Sequence, residues 1–176
     1  MKTITDNLFI FLSKKPNIFI LGGIFILINI LVMISVMELD ELTGAAIPDT
    51  AFGINDTTLP ELFTVFGAKG IEVYQQIIIY DLLLPISYAL FFGAIIFLLY
   101  RGSKFKYLAW IPVCASIFDY IENYLLANCL SQFPNINNEL ANITGSIISI
   151  KLVFLISSLL IIIVASVQML LLSKRK

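Results

Sequence analysis

Four apolar stretches, each about long enough to cross a bilayer, dominate this chain. A spanning helix takes about 20 mostly apolar residues, because every backbone polar group must find a partner inside the hydrocarbon. Residues 18–37 hold no charge. Residues 71–100 are charged only at Glu72 and Asp81. Residues 107–130 are apolar apart from Asp119, Glu122, Asn123 and Asn128. Residues 148–172 carry Lys151 and no other charge. The expected fold is all-α, an integral membrane four-helix bundle that makes one domain of residues 1–176. Charged residues make up 13% of the chain, against about a quarter in soluble domains, so much of the surface is expected to face lipid.

The basic residues set the orientation. Lys2, Lys14 and Lys15 precede the first span, Arg101, Lys104 and Lys106 join the second to the third, and Lys174, Arg175 and Lys176 end the chain. All three groups fall on one side of a four-pass chain, which is cytoplasmic by the positive-inside rule. Both termini are therefore expected in the cytoplasm, in a plasma, inner or endoplasmic reticulum membrane. The first span is too long for a signal peptide, and Glu38, Asp40 and Glu41 follow it directly. Membrane lipids are the expected partners, and self-association is compatible with the pattern. The scattered Lys and Arg make no nucleic-acid footprint.

Two short segments lie outside the spans. Residues 6–12 are apolar and run into Lys14-Lys15-Pro16, a pattern suited to a short helix on the inner membrane surface. In the first outer loop Thr58-Leu59-Pro60-Glu61 reads as a capping box, with Thr58 as N-cap. Leu59, Leu62, Phe63 and Phe66 then follow helical spacing until Gly67 stops the turn. So short an amphipathic helix is unstable alone, and it needs the membrane or the mouth of the bundle as a partner surface.

The strongest functional signal is Asp119-Tyr-Ile-Glu122-Asn123. Counted from Tyr107, Asp119 lies roughly 18 Å and Glu122 roughly 22 Å along the third helix, inside a hydrocarbon core about 30 Å thick. Positions i, i+3 and i+4 share one face. An ionisable group at that depth costs about 2.5–3.5 kcal/mol on insertion scales, so these side chains are expected to turn inward and to be paired, protonated, hydrated or bound to a cation. Asp81 and Lys151 are the natural partners, although Lys151 could instead snorkel to the outer interface. Asn29 and Tyr88 could line the floor, and Pro85 is expected to kink the second helix and release a carbonyl nearby. The group as a whole describes a funnel open to the outside. Polar residues in a membrane bundle also serve as packing glue, but such networks more often use Ser, Thr, Asn and Gln than three carboxylates.

The chain has no histidine, which removes the commonest acid–base group near neutral pH and the commonest metal ligand. Cys114 and Cys129 fall in one helix, roughly 22 Å apart, too far to bridge. No metal site and no cofactor are expected. The reading is an outward-opening intramembrane acidic pocket for a lipid or a hydrophobic small molecule, neutral or cationic, with Asp81, Asp119, Glu122, Asn123, Lys151, Tyr88 and Asn29 as its binding residues. The alternatives are a membrane enzyme with Asp119 and Glu122 as a catalytic acid–base pair, a proton- or cation-coupled transporter, and an accessory subunit of a membrane complex.

Asp40, Gly67-x-x-Gly70-x-x-x-Tyr74, Asp81-x-x-x-Pro85-x-x-Tyr88, Asp119-x-x-Glu122-Asn123 and Lys151 together carry a resemblance. Over about residues 30–170 the chain resembles an uncharacterised family of four-transmembrane-helix membrane proteins, which implies a fold and no activity. More loosely, Asp81-x-x-x-Pro85 and the two acids of the third span are similar in placement to those of the EXPERA group. That group includes sterol isomerases related to emopamil-binding protein and the sigma-2 receptor. The isomerases use a histidine that this chain lacks, so what the resemblance implies is ligand binding rather than sterol isomerisation.

Overall fold

The computed structural model describes residues 4–173, and these form six α-helices with no strand among them. The helices are α1 (Ile4–Leu12), α2 (Lys15–Thr43), α3 (Thr58–Asp81), α4 (Leu84–Leu99), α5 (Ile111–Gln132) and α6 (Asn138–Ser173). Two short 3-10 helices, Pro48–Thr50 and Lys104–Trp110, lie in the connections before α3 and before α5. The basic residues Lys2, Lys174, Arg175 and Lys176 lie outside the described residues.

Three helical stretches are long and apolar enough to cross a membrane: Lys15–Thr43, Thr58–Leu99 and Asn138–Leu171. The segment 107–130 is not among them, because Asp119, Glu122 and the asparagines lower its hydropathy and its first residues coil as a 3-10 helix. Helix α2 leaves most of its apolar surface uncovered. Phe19 is 80% exposed, and Ile26, Leu27, Met33 and Ile34 are exposed with it. An apolar face this extensive is not stable against water.

Local chemistry fixes the helix ends. Pro16 stands in the first turn of α2, where its missing N–H costs nothing. Past the apolar run the helix continues through Glu38–Thr43, and Gly44 closes it in the left-handed region with its N–H on the Asp40 carbonyl. The extension carries Leu39 over the outer end of the molecule, where it is fully buried among Leu59, Phe63 and Phe66. Gly70 allows the approach, since a Cβ there would lie 2.8 Å from the Thr43 methyl.

The expected short helix of the outer loop exists, with two differences. Its cap is Asn55, whose side-chain oxygen accepts from the N–H groups of Thr57 and Thr58 at 2.9 and 3.0 Å. Thr58 is the first helical residue, and its hydroxyl accepts from the Asn55 N–H. Gly67, at φ 59° and ψ −173°, ends the short helix in a conformation open only to glycine, and a second helical run then continues to Asp81. The partner surface is the mouth of the bundle: Phe63 meets Phe66, Tyr74 and Phe133 at centroid distances near 6 Å.

Between α3 and α4 the chain breaks at Leu82 and Leu83, where backbone bonds shift to an i+3 pattern. Pro85 in the first turn of α4 lacks the N–H that would have continued the ladder. The break leaves the Leu82 carbonyl to accept from the Tyr120 hydroxyl of α5 at 2.9 Å. At the opposite end α1 is tucked in rather than frayed. Phe9 is 4% exposed, stacks on Phe97 and meets Trp110 edge-on. Lys14 and Lys15 thereby lie at the same end of the molecule as the 101–106 turn.

Candidate functional site

Asp81 of α3 and the two carboxylates of α5 lie between two apolar layers. Toward the end covered by residues 44–57 stand Phe63, Tyr74, Ile77, Leu126 and Ile148. Toward the basic end stand Tyr88, Phe92 and Ala115, then Phe9, Ile96, Phe97 and Ala109. The polar layer is made by helix register. Asp119, Glu122 and Asn123 share the inner face of α5, Asp81 ends α3, Tyr88 follows two turns on in α4, and Lys151 sits in α6 directly across from α5.

Lys151 is the hub. Its ammonium donates to Glu122 Oε1 at 2.8 Å and to the backbone carbonyl of Asp49 at 3.0 Å, and it lies 3.7 Å from Asp119 Oδ1. Each carboxylate of the layer has a protein donor. Tyr88 donates to Asp119 Oδ2 at 2.9 Å, and Asn123 Nδ2 donates to Asp81 Oδ2 at 2.7 Å. Asp49 enters from the outer loop, and its carboxylate accepts from the Tyr74 hydroxyl. The layer thus holds four carboxylates and one ammonium, with Glu122 and Asp119 paired to Lys151, and all of these groups are buried.

Two acceptors are left over. Glu122 Oε2 and Asn123 Oδ1 are buried and meet no donor among the described residues. Glu122 is 0% exposed and Asn123 2% exposed. An unmet buried acceptor costs about 1–3 kcal/mol, and more when charged, so a donor at this point would stabilise the layer.

Of the residues expected to form the site, Asp81, Asp119, Glu122, Asn123, Lys151 and Tyr88 are brought together. Lys151 does not snorkel outward, because three acceptors surround it inside. Asn29 is not brought in: its amide donates to the Phe25 carbonyl of its own helix at 2.9 Å. The site is also closed, not an open funnel. Residues 44–57 fold over its outer side, and Asp49 ties them down through both its carbonyl and its carboxylate. Gly145 of α6 lets this cover approach, since a Cβ there would fall 1.7 Å from the Ile54 carbonyl oxygen. The Asp56 N–H further donates to the Asn142 side chain at 3.1 Å.

Asp49 is the residue of this layer that sequence reasoning misses. Nothing in an acidic loop marks one residue as the plug of a site whose lysine is 102 positions away. Tyr74 carries a faint signal, since Tyr74, Asp81 and Tyr88 recur every seven residues along one face. Cys129 Sγ lies 3.5 Å from the Thr144 hydroxyl, and Cys114 is half-buried; both are free thiols. Among the described residues no group of His, Cys, Asp or Glu side chains is arranged to hold a metal ion.

The chain matches no protein-family model, no curated protein and no solved structure. What this site does must therefore be argued from its own geometry.

Proposed function

We propose that the protein is a four-pass membrane protein with cytoplasmic termini whose outer half binds a lipid or hydrophobic small molecule through a hydrogen-bond donor, best an ammonium. Support for the fourth crossing comes from α5. Its 22 residues reach about 33 Å, it runs back alongside α4 and packs on α6, and its acids turn inward. Support for the orientation comes from Lys14, Lys15, Arg101 and Lys104, which gather at one end.

The observation that carries the binding reading is the pair of unmet acceptors, Glu122 Oε2 and Asn123 Oδ1. They stand in a layer with one cation among four carboxylates. A cationic donor answers both deficits, and aromatic and aliphatic neighbours suit the apolar body that would carry it. Entry is from the outer side, where the cover of residues 44–57 is held by Tyr74 and Lys151 and contains the left-handed Gly44 and Gly53. Binding is favoured over coupled transport because the layers toward the basic end are packed with Phe9, Phe92, Phe97 and Ile96. It is favoured over acid–base catalysis because Asp119 and Glu122 are both engaged by Lys151.

The test uses the detergent-solubilised protein and three amphiphiles with the same tail: dimethyldodecylamine, dodecanol and dodecanoate. The amine should raise the thermal midpoint most and dodecanoate not at all, and Glu122→Gln should abolish the amine's advantage. Equal responses to amine and carboxylate, or an unchanged amine response in Glu122→Gln, would overturn the reading.

A further inference from the structure

A cavity lies outside the acidic layer and is lined by none of its charged residues. It is an apolar groove of about 270 Å³ between α1, α4 and α5. Leu12 and Ala89 form its floor, while Leu8, Ile86, Trp110 and Tyr120 stand half-exposed around its mouth. It therefore opens sideways, on the surface that a membrane protein turns to lipid. Two of its polar wall residues are already engaged: Ser116 donates to the Val113 carbonyl and Tyr120 to the Leu82 carbonyl. Apart from the indole N–H of Trp110 at the mouth, the wall offers hydrocarbon.

The length and the ends of the groove select its occupant. From Trp110 to Tyr120 is ten residues of α5, roughly 15 Å of rise, or half of a hydrocarbon core about 30 Å thick. That matches one leaflet. At the Trp110 end stand Lys14, Lys15, Arg101 and Lys104, all exposed. Lys14 lies over the Phe11 ring and Lys104 over the Phe105 ring, so the cationic heads are held at that surface. In sequence the sole carboxylate of this end is Asp6. A basic rim over a one-leaflet apolar groove is complementary to an anionic amphiphile.

We propose that this groove holds one acyl chain of an anionic phospholipid from the leaflet at the basic end, with its phosphate over Lys14 and Lys104. Helix α1 forms one wall, so the bound tail also clamps α1 to α4 and α5. Each cation at such a surface contributes about fivefold to the retention of an anionic headgroup.

The probe is dioleoyl-phosphatidylglycerol, compared with dioleoyl-phosphatidylcholine, added to the full-length protein in detergent and read by native mass spectrometry. Phosphatidylglycerol should be retained preferentially. Lys14→Gln with Lys104→Gln should reduce the preference by roughly 25-fold, the product of two such contributions. Ile86→Trp, at an exposed position on the rim, should block the tail and lower retention of both lipids while circular dichroism stays unchanged. Glu122→Gln should leave the preference intact, which separates this site from the outer one. Equal retention of the two lipids by the wild-type chain, or undiminished phosphatidylglycerol on Ile86→Trp, would overturn the proposal.

Discussion

The ammonium of Lys151 donates to the backbone carbonyl of Asp49 at 3.0 Å across 102 positions of sequence. One bond thus joins a buried lysine of α6 to the loop of residues 44–57. The same ammonium pairs with Glu122 at 2.8 Å. The buried polar layer and its cover are therefore a single unit, and perturbing either should be felt in the other.

Removing the hub leaves buried acceptors without a donor. Breaking a buried ion pair from one side costs about 3–5 kcal/mol, whereas replacing both partners by apolar groups can be nearly neutral. Lys151→Met should lower unfolding stability in detergent by about that amount, and adding Glu122→Leu should recover part of the loss. Equal instability of single and double variants would show that the two residues are not coupled.

The cover depends on a close approach that only glycine allows. Gly145→Ala would put a methyl group into the Ile54 carbonyl, and overpacking of this kind costs about 1–3 kcal/mol. Limited proteolysis within residues 44–57 should accelerate in this variant. Gly23→Ala in α2 is the control: nothing lies within 4 Å of the added carbon, so cleavage there should match the wild-type chain.

The two tyrosines that reach across helices should differ in cost. Tyr88 is 3% exposed and donates to a buried carboxylate, while Tyr120 is 39% exposed and donates to a carbonyl. Tyr88→Phe should cost about 1–3 kcal/mol, the penalty for a buried acceptor left unmet. Tyr120→Phe should cost at most about 1 kcal/mol. Chemical unfolding of the two variants in the same detergent measures the difference.

Four crossings put the 101–106 turn and the 133–137 turn on opposite sides of the membrane. With Cys114 and Cys129 replaced by alanine, Lys104→Cys and Asn135→Cys should react with an impermeant maleimide from opposite faces of sealed vesicles. Labelling of both from one side would mean that α5 does not cross.

Periodicity and depth made much of the site legible. Asp119, Glu122 and Asn123 had to share a face, and two acids on one apolar helix had to find inward company. Pro85 marked the break between α3 and α4, and Gly67 marked the end of the outer-loop helix. Asn29 shows where such reasoning fails. A lone amide at the right depth can satisfy itself on its own helix, four residues back, and its position in sequence does not say which it will do. The capping of α3 failed differently: Thr58 read as the cap, but Asn55 takes the free N–H groups of Thr57 and Thr58.

The sequence by itself determined which stretches are apolar enough to cross a membrane, which helix carries two carboxylates on one face, and where along the chain positive charge is concentrated. Those properties depend on local composition and helical register, and no distant contact can change them. Only the tertiary structure decided that Lys151 turns in rather than out, that Asp49 closes the site, and that two acceptors remain unmet. These outcomes rest on contacts between residues 25 to 102 positions apart, and on backbone approaches at Gly70 and Gly145 whose spacing is set by how the helices pack.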